Sequence, residues 1–278
     1  MTTSKPRGTT KSLGRKSALD KLYTKPAVAW SCIDFVGLAG YDLVIEPSAG
    51  SGTFSSQMPG CLALDLEPAD PSVREQDWFT YQETRQADRR TLVIGNPPFG
   101  QQNSLAVRFI NHAATFADTI AFILPRSFRK PSVVARLNGH LHLRAEMDLA
   151  ADSFTLEGVD YAVPAIFQIW DWRPELRIFP PRRLTSPHFH FVAKEAQPDL
   201  RIARVGGRAG WASTDLNVAA ASNYFLCLDD PDISIPEFVA LVNTLSFPGR
   251  EFGVGPRTIC KDELIRVIEA GLNGRVHN

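Results

Sequence analysis

Short apolar runs alternate with helical patterns between residues 22 and 170. The runs rich in β-forming residues lie at 42–45, 61–64, 92–94, 119–124 and 143–149. Two parallel strands need a long crossover between them, which is usually a helix, so this alternation predicts a mostly parallel sheet covered by helices. We therefore expect an α/β fold with a doubly wound, Rossmann-like sheet and a terminal antiparallel hairpin.

Composition divides the chain into three parts. Residues 1–21 are polar and basic and predict a flexible tail. Residues 22–172 form the predicted α/β domain, with a helical apolar stripe over 104–117 and a hairpin at the end of the sheet over 154–170. Several prolines follow Trp172, and they predict a smaller α+β region over 173–278 with one clear helix at 261–270.

Charge is distributed unevenly along a chain that is neutral as a whole. The 278 residues include 30 Lys and Arg and 30 Asp and Glu, a balance that argues against a nucleic-acid partner. Residues 1–21 nevertheless carry six basic side chains and one acidic one, and residues 172–208 carry eight and three. These two basic stretches lie on either side of an acidic middle, an arrangement that would suit binding of a polyanion. A solvated tail and a basic surface loop explain the same charge pattern equally well.

Several classes of protein are disfavoured. The apolar runs are shorter than the roughly 20 residues of a membrane span, and no apolar segment follows the basic N-terminus as in a secretory signal. The four cysteines are scattered, which indicates reduced thiols. His188 and His190 lack further metal ligands nearby, so a surface strand is favoured over a metal site. We expect a soluble, metal-free cytoplasmic protein, nucleoid-associated in a bacterium.

The strongest chemical signal is the tetrapeptide Asn-Pro-Pro-Phe at 96–99, directly after an apolar run. Pro97 and Pro98 lack backbone donors and have fixed φ, which predicts a stiff loop at the carboxyl end of a strand. The side-chain oxygen of Asn96 and the carbonyl of Pro97 can each accept one N–H of an amine on an aromatic ring, and Phe99 can stack on that ring. These two hydrogen bonds would make the nitrogen of a poorly nucleophilic amine more tetrahedral and more reactive. A proline-rich turn with a capping asparagine is the structural alternative.

A small-residue turn follows the first apolar run. Gly50 and Gly52 permit close approach of a ligand to the backbone, and Glu46, at the end of the run, can engage a cationic amino group. No Lys follows the glycines, so the turn is not a phosphate-binding loop of the Walker type.

Acidic residues follow at suitable intervals. Asp65 ends the second run, where doubly wound folds often bind ribose hydroxyls, and Glu67 competes for that role. Asp77 could accept the amino group of a bound adenine beside the aromatic rings of Trp78 and Phe79. The order of these residues is more informative than any one of them.

In this order, the motifs resemble those of the class I S-adenosylmethionine-dependent methyltransferases, specifically the DNA methyltransferases that modify adenine N6. The resemblance covers roughly residues 22–170. It implies the Rossmann-like methyltransferase sheet, S-adenosylmethionine as cofactor, and catalysis by Asn96, Pro97, Pro98 and Phe99. The cofactor-binding residues that it implies are Tyr23, Thr24, Glu46, Pro47, Ala49, Gly50, Gly52, Asp65, Leu66, Asp77, Trp78 and Asn96.

The resemblance also implies a target-recognition region after the catalytic domain, with double-stranded DNA as partner. Phe154, with Tyr161 second, would stack on a flipped-out base, although a core phenylalanine is equally expected. Because the second region is small, two copies acting as a homodimer would follow more of a duplex. The predicted DNA contacts, for which plain surface turns are an equal alternative, are Arg204, Arg208, Arg257 and Lys261.

Other activities stay open. An RNA methyltransferase acting on adenine N6 or guanine N2, or a protein glutamine methyltransferase, would use a similar Asn-Pro-Pro-aromatic loop. A DNA-binding module with a relict cofactor fold is the alternative without catalysis.

Overall fold

A computed structural model describes residues 22–156, 158–179, 181–252 and 257–275. The chain forms two compact units. The first unit includes the described residues up to Pro125 together with Ala135–Arg177, and the second includes Arg126–Val134 and the residues from Ile178 onward. The units divide between Arg177 and Ile178, whereas the sequence predicts a boundary between residues 172 and 173. The expected tail at 1–21 lies outside the described residues.

The first unit is built on a large mixed sheet. Its helices are α1 (Pro26–Val36) and α2 (Ser104–Ala113). Its strands are β1 (Tyr23–Thr24), β2 (Leu43–Glu46), β3 (Leu62–Asp65), β4 (Arg74–Glu75), β5 (Thr91–Gly95), β6 (Thr119–Pro125), β7 (Leu141–Asp148), β8 (Phe154–Leu156), β9 (Val159–Tyr161) and β10 (Ala165–Trp172).

Seven strands form the main sheet, in the order β4-β3-β2-β5-β6-β10-β7. The strands from β4 to β6 are parallel, and β10 runs antiparallel to both β6 and β7. Every residue of β5 and β6 is buried, because helices and loops cover both faces of such a sheet. The predicted fold class, a mostly parallel α/β sheet with an antiparallel pair at one end, is confirmed.

A separate three-stranded sheet has the order β1-β8-β9. The hairpin expected over 154–170 therefore needs correction, because only β8 and β9 form it and they pair with β1 rather than with the main sheet. β10 lies inside the main sheet, where its first six residues are buried. Those residues are apolar or, like Gln168, hydrogen-bonded, so they suit a strand with neighbours on both sides. Glu157, in the expected turn, lies outside the described residues.

The second unit is α+β. Its four-stranded antiparallel sheet has the order β11-β14-β12-β13. The core beneath this sheet includes Phe189, Phe238, Leu264 and Ile268. None of the helices in the described part of the chain is long and apolar enough to cross a membrane. The elements of this unit are α3 (Pro131–Val134), β11 (Phe189–Val192), β12 (Leu200–Ala203), β13 (Ala212–Ser213), β14 (Asn223–Leu228), α4 (Ile235–Thr244) and α5 (Lys261–Arg275).

The helices differ in part from those expected. α2 ends at Ala113 rather than at residue 117. α4 was not expected, although it begins with a proline in its first turn and its N-terminus is closed by a hydrogen bond from the Ser234 N–H to the Glu237 carboxylate, 3.1 Å long. These are recognisable helix-start signals. The expected helix at 261–270 forms and continues to Arg275.

Candidate active site

A cavity of about 450 Å³ lies at the carboxyl ends of β2, β3 and β5. Parallel strands end at the same edge of a sheet, and α/β folds bind their ligands there. The volume is within the range of roughly 300–1,000 Å³ that is usual for small-molecule sites. The residues predicted for catalysis or cofactor binding that line it are Tyr23, Thr24, Glu46, Pro47, Ala49, Gly50, Asp65, Leu66, Asp77, Trp78, Asn96, Pro97, Pro98 and Phe99.

The glycine loop after β2 is tied to the end of β3. The N–H of Gly50 donates to Oδ2 of Asp65 over 2.7 Å, and the N–H of Glu67 donates to Oδ1 over 2.8 Å. Gly50 has a φ of +53°, and a Cβ there would lie 3.5 Å from the ring of Tyr23, so glycine keeps the backbone open to a ligand. Each Asp65 oxygen still has a lone pair for a hydroxyl. The ribose role stays a prediction, with Glu67 also lining the cavity.

Glu46 brings a buried carboxylate to the cavity. Its side chain is 2% exposed, and Oε2 accepts a 2.8 Å hydrogen bond from the N–H of Ser55. Burial, with a smaller contribution from the charge of Asp65, raises the pKa of Glu46 to about 7, although the hydrogen bonds from Ser55 oppose the shift. A cationic ligand group would favour the ionised form. The arrangement therefore suits an ammonium group.

Asp77 and Trp78 form the start of a short 3₁₀ helix beside the cavity. Oδ1 of Asp77 accepts from the N–H of Phe79 over 2.9 Å. Trp78 is stacked near Tyr81, with ring centroids 5.8 Å apart, and near Phe109, with centroids 6.2 Å apart. These contacts fix the indole where it lines the cavity. A flat aromatic ligand could contact the indole while the second oxygen of Asp77 accepts its amino group.

Asn96 follows β5, and its two side-chain ends have different surroundings. Nδ2 donates to the carbonyl of Leu22 over 3.3 Å and to Oγ1 of Thr24 over 3.2 Å. Oδ1 is buried and has no hydrogen-bond partner among the described residues. The backbone is held as well, because the hydroxyl of Ser48 donates to the Asn96 carbonyl over 3.2 Å. The loop thus offers a fixed, unsatisfied acceptor in a residue that lines the cavity, next to Phe99.

Three residues predicted to contact the cofactor or the target base do not line the cavity. Phe154 is fully buried, in the strand that pairs with Thr24, so the expected stacking on a flipped base needs correction. Its ring belongs to the core, since no part of it is exposed. Tyr161, the second choice, lies opposite Phe154 in β9. Gly52 is buried beside the lining residue Thr53 and has a φ of +75°, so it shapes the loop.

Other lining residues were not predicted. Leu105 and Phe109 lie on the apolar stripe of α2, and such a stripe is normally assigned to the core alone. The position of α2 directly after the tetrapeptide was the signal that could have identified them. Glu67 and Phe79, considered from the sequence as a second ribose contact and an aromatic beside Asp77, also line the cavity; the lining residues that were not predicted are Leu22, Ser48, Thr53, Phe54, Leu105 and Phe109.

The predicted DNA contacts Arg204, Arg208, Arg257 and Lys261, here called the basic cluster, are all exposed in the second unit. Hydrogen bonds join their segments: the Gly206 N–H donates to the Arg257 carbonyl over 2.9 Å, and an isolated bridge pairs the residues next to Arg204 and Arg257. The glycine segment at 253–256 lies outside the described residues. The structure thus brings Arg204 and Arg257 close together through the backbone.

Two of these cations lie over aromatic rings. The ammonium of Lys261 lies 4.2 Å from the ring centroid of Phe191, and the guanidinium of Arg204 lies 5.6 Å from that of Tyr224. Arg257 is partly neutralised by Glu251, 3.3 Å away. Cations held over rings keep their outer side open to an anion.

The histidines considered as metal ligands each pair with a carboxylate. Nδ1 of His188 lies 2.7 Å from Asp230, and Nδ1 of His190 lies 2.8 Å from Asp229. Within the described residues, no group of three or more His, Cys, Asp or Glu side chains could hold a metal ion.

Comparison with known proteins identifies one family model. Residues 64–190, less than half of the chain, match the EDM2 methyltransferase-like domain. No curated protein matches the sequence.

Several solved structures are similar at low identity. A Pyrococcus horikoshii protein described provisionally as an RNA methyltransferase has 16% identity and a TM-score of 0.38, over 52% of this chain and 81% of that one. The 23S rRNA methyltransferase ErmE has 14% identity and a TM-score of 0.37, over 57% and 72%. The magnesium protoporphyrin IX methyltransferase of Synechocystis, with bound S-adenosylmethionine, has 12% identity and a TM-score of 0.35, over 53% and 77%. Likenesses this weak carry no argument about substrate.

The family match covers β5, α2 and the Asn-Pro-Pro-Phe tetrapeptide, and the cavity is lined by all of the residues that the resemblance assigned to the cofactor except Gly52. The chain therefore contains a methyltransferase-like domain, which supports S-adenosylmethionine as its cofactor.

Proposed function

We propose that this chain transfers a methyl group from S-adenosylmethionine to the N6 amine of adenine in double-stranded DNA. The observation that carries the proposal is the buried, unpartnered Oδ1 of Asn96 in a residue that lines the cavity. Leaving a buried acceptor unsatisfied costs about 1–3 kcal/mol. A ligand amine that donates to it would recover that free energy, so the site favours a substrate with an N–H.

The cavity fits the proposed cofactor. Glu46 suits an ammonium group, the backbone at Gly50 is open to a ligand, and Asp65 or Glu67 can accept from hydroxyls. Trp78 provides an aromatic surface. When bound, S-adenosylmethionine supplies a methyl group on a positively charged sulfur.

The tetrapeptide activates the target. Oδ1 of Asn96 and the carbonyl of Pro97 each accept one hydrogen of the amine, which moves both hydrogens out of the ring plane and concentrates the lone pair on nitrogen. Phe99, which lines the cavity, stacks on the base. As the bond from nitrogen to the methyl carbon forms, the bond from that carbon to the positively charged sulfur would break, and the sulfur would leave with the electron pair as a neutral thioether. Neither acceptor takes up a proton at neutral pH, so the proton that the nitrogen then loses passes to water.

A duplex buries N6 within its stack, and the base must be flipped out at a cost of a few kcal/mol, which stacking and hydrogen bonds in the cavity offset. The exposed basic cluster can contact phosphates, and Arg204 and Lys261 are presented on aromatic rings. Together these features favour a nucleic-acid substrate over a small molecule.

The test uses the full chain, tritiated S-adenosylmethionine and three parallel substrates: duplex DNA, total RNA and soluble protein. Digestion of labelled DNA to nucleosides, followed by chromatography, is expected to give label in N6-methyldeoxyadenosine. Mapping modified bases in DNA from cells that express the chain would then identify the target sequence.

Label in RNA, as N6-methyladenosine or N2-methylguanosine, would replace DNA by RNA while keeping the same chemistry at Asn96. Label on glutamine in protein would show that the substrate is a protein and not a nucleic acid. Absence of label in all three, together with no binding of S-adenosylmethionine by calorimetry, would overturn the proposal and favour a binding module.

A further inference from the structure

The carboxamide of Asn96 is oriented by the strand β1 and the residue before it. Each of its two Nδ2 hydrogens has an acceptor there, the carbonyl of Leu22 at 3.3 Å and Oγ1 of Thr24 at 3.2 Å. A carbonyl can only accept, so this contact identifies the nitrogen end of the carboxamide. The oxygen end is left buried without a partner. The polarity that Asn96 presents to a ligand thus depends on a side chain in β1 and on the carbonyl of the residue just before this strand.

β1 is itself fixed by β8 and β9. Thr24 pairs with Phe154, whose side chain is fully buried, and the N–H of Lys25 donates to the Ser153 carbonyl over 3.0 Å. The ammonium of Lys25 also lies 2.9 Å from Asp160. Thr24 is itself buried, and its backbone pairing restricts where its hydroxyl can lie.

We propose that Thr24 is a positioning residue that, with the Leu22 carbonyl, keeps the Asn96 carboxamide turned so that it accepts from the substrate. This inference rests on the proposed function, since it gives the reason why the site takes an amine. If the carboxamide turned over, Nδ2 would place its hydrogens against those of the amine, and the grip on the substrate nitrogen would be lost. The three-stranded sheet is therefore the part of the fold that selects a hydrogen-donating target.

A positioning role differs from the cofactor contact that the family resemblance implies for Thr24. A residue that only contacts the cofactor changes its Kd or KM when removed. A residue that orients Asn96 changes kcat, because the carboxamide acts on the amine when the methyl group is transferred.

The kinetic test compares three variants of the full chain. Thr24→Val keeps the shape of the side chain and its suitability for a strand but removes the acceptor, and loss of one hydrogen bond is expected to lower kcat about tenfold. The Kd of S-adenosylmethionine is expected to stay the same. Thr24→Ser restores the hydroxyl and is expected to restore kcat. Thr155→Val, the same change on the neighbouring strand β8, is the matched control and is expected to match the wild type.

A second measurement does not need activity. In protein labelled with ¹⁵N-asparagine, the Asn96 side-chain amide is identified by its loss in Asn96→Ala. Both of its protons are expected to exchange slowly with water in the wild type and in Thr155→Val, and faster in Thr24→Val. Circular dichroism and thermal melting check that each variant is folded.

The outcomes separate the two proposals. Wild-type methylation with unchanged kcat and unchanged amide exchange in Thr24→Val would overturn the positioning role and leave the proposed function intact, as would a change in cofactor KM alone. Faster amide exchange in Thr24→Val, together with no methylation of any substrate by the wild type, would support the positioning role and overturn the proposed function. If Thr24→Val is unfolded, Thr24→Ala replaces it, with the same expected results.

Discussion

The two units place their functional candidates in opposite environments. In the first unit, Glu46 is 2% exposed and accepts from the N–H of Ser55, and Oδ1 of Asn96 is buried in a carboxamide whose Nδ2 donates to the Leu22 carbonyl. In the second unit, the basic cluster is entirely exposed. Buried polar groups act in a low dielectric and hold one geometry, whereas exposed cations are hydrated and screened by salt. The first environment suits chemistry at one atom, and the second suits attraction to a polyanion.

A substitution in the core of the first unit is expected to have the largest effect on stability. Phe154→Ala removes a fully buried ring and is expected to lower the free energy of unfolding by about 3–5 kcal/mol, measured by urea denaturation. Phe35→Ala, at a phenylalanine that is 41% exposed, is the matched control and is expected to cost less than half as much. An unchanged unfolding free energy together with weaker DNA binding would instead return Phe154 to the stacking role.

The acceptor itself provides the next largest effect. Asn96→Ala is expected to lower the rate of methyl transfer about 10²–10³-fold, by analogy with loss of one preorganised hydrogen-bonding group in other enzymes. Calorimetry is expected to show nearly unchanged affinity for S-adenosylmethionine, because Glu46, Asp65 and Trp78 remain. Asn111→Ala is the matched control. It removes a side-chain amide that hydrogen-bonds the backbone of Arg136 and Asn138 and does not line the cavity, so the rate of methyl transfer is expected to stay the same. Full activity of Asn96→Ala would refute the catalytic role.

How far the sequence predicted this site depends on the kind of contact. Asp65 and Asn96 were identifiable because parallel strands end at one edge of the sheet, so a residue that follows a buried run has a known place. The role of Phe154 in the core could not be identified in this way, because β1 and β8 are far apart in sequence and only two residue pairs join them. Nothing in a local pattern indicates that pairing. The unexpected α4 differs again, since its helix-start signals are local and lie in the sequence itself.

A pH dependence distinguishes a buried carboxylate from exposed charges. Since the pKa of Glu46 is about 7 in the free protein, its carboxylate is mostly protonated at pH 5.5 and half ionised at pH 7, so cofactor affinity is expected to rise about tenfold over this range. An α-amino group stays mainly protonated there. Calorimetry at both values tests this, and Glu46→Gln is expected to remove the dependence. An equally steep rise in Glu46→Gln would assign the effect to another group.

The same raised pKa predicts the opposite trend for the stability of the free protein. Glu46 has an ordinary value of 4.5 and a folded value of about 7, so between these values the native state holds a proton that the unfolded state has lost. Stability is then expected to fall as pH rises from 4.5 to about 7, and to change less steeply in Glu46→Gln. Thermal melting across this range without cofactor provides the measurement.

The smallest expected effect compares the same chemical group in both units. Arg204 lies 5.6 Å from the ring centroid of Tyr224 in the second unit, and Arg90 lies 4.8 Å from that of Tyr41 in the first; both arginines are exposed. If the basic cluster contacts phosphates, Arg204→Gln is expected to weaken DNA binding about fivefold at low salt and to reduce the slope of log affinity against log salt by about 0.9. Arg90→Gln, measured by fluorescence anisotropy on the same duplex, is expected to change neither quantity. Equal losses in the two variants would mean that exposed charge anywhere on the chain attracts DNA, and the distinction between the units would then rest on the cavity alone.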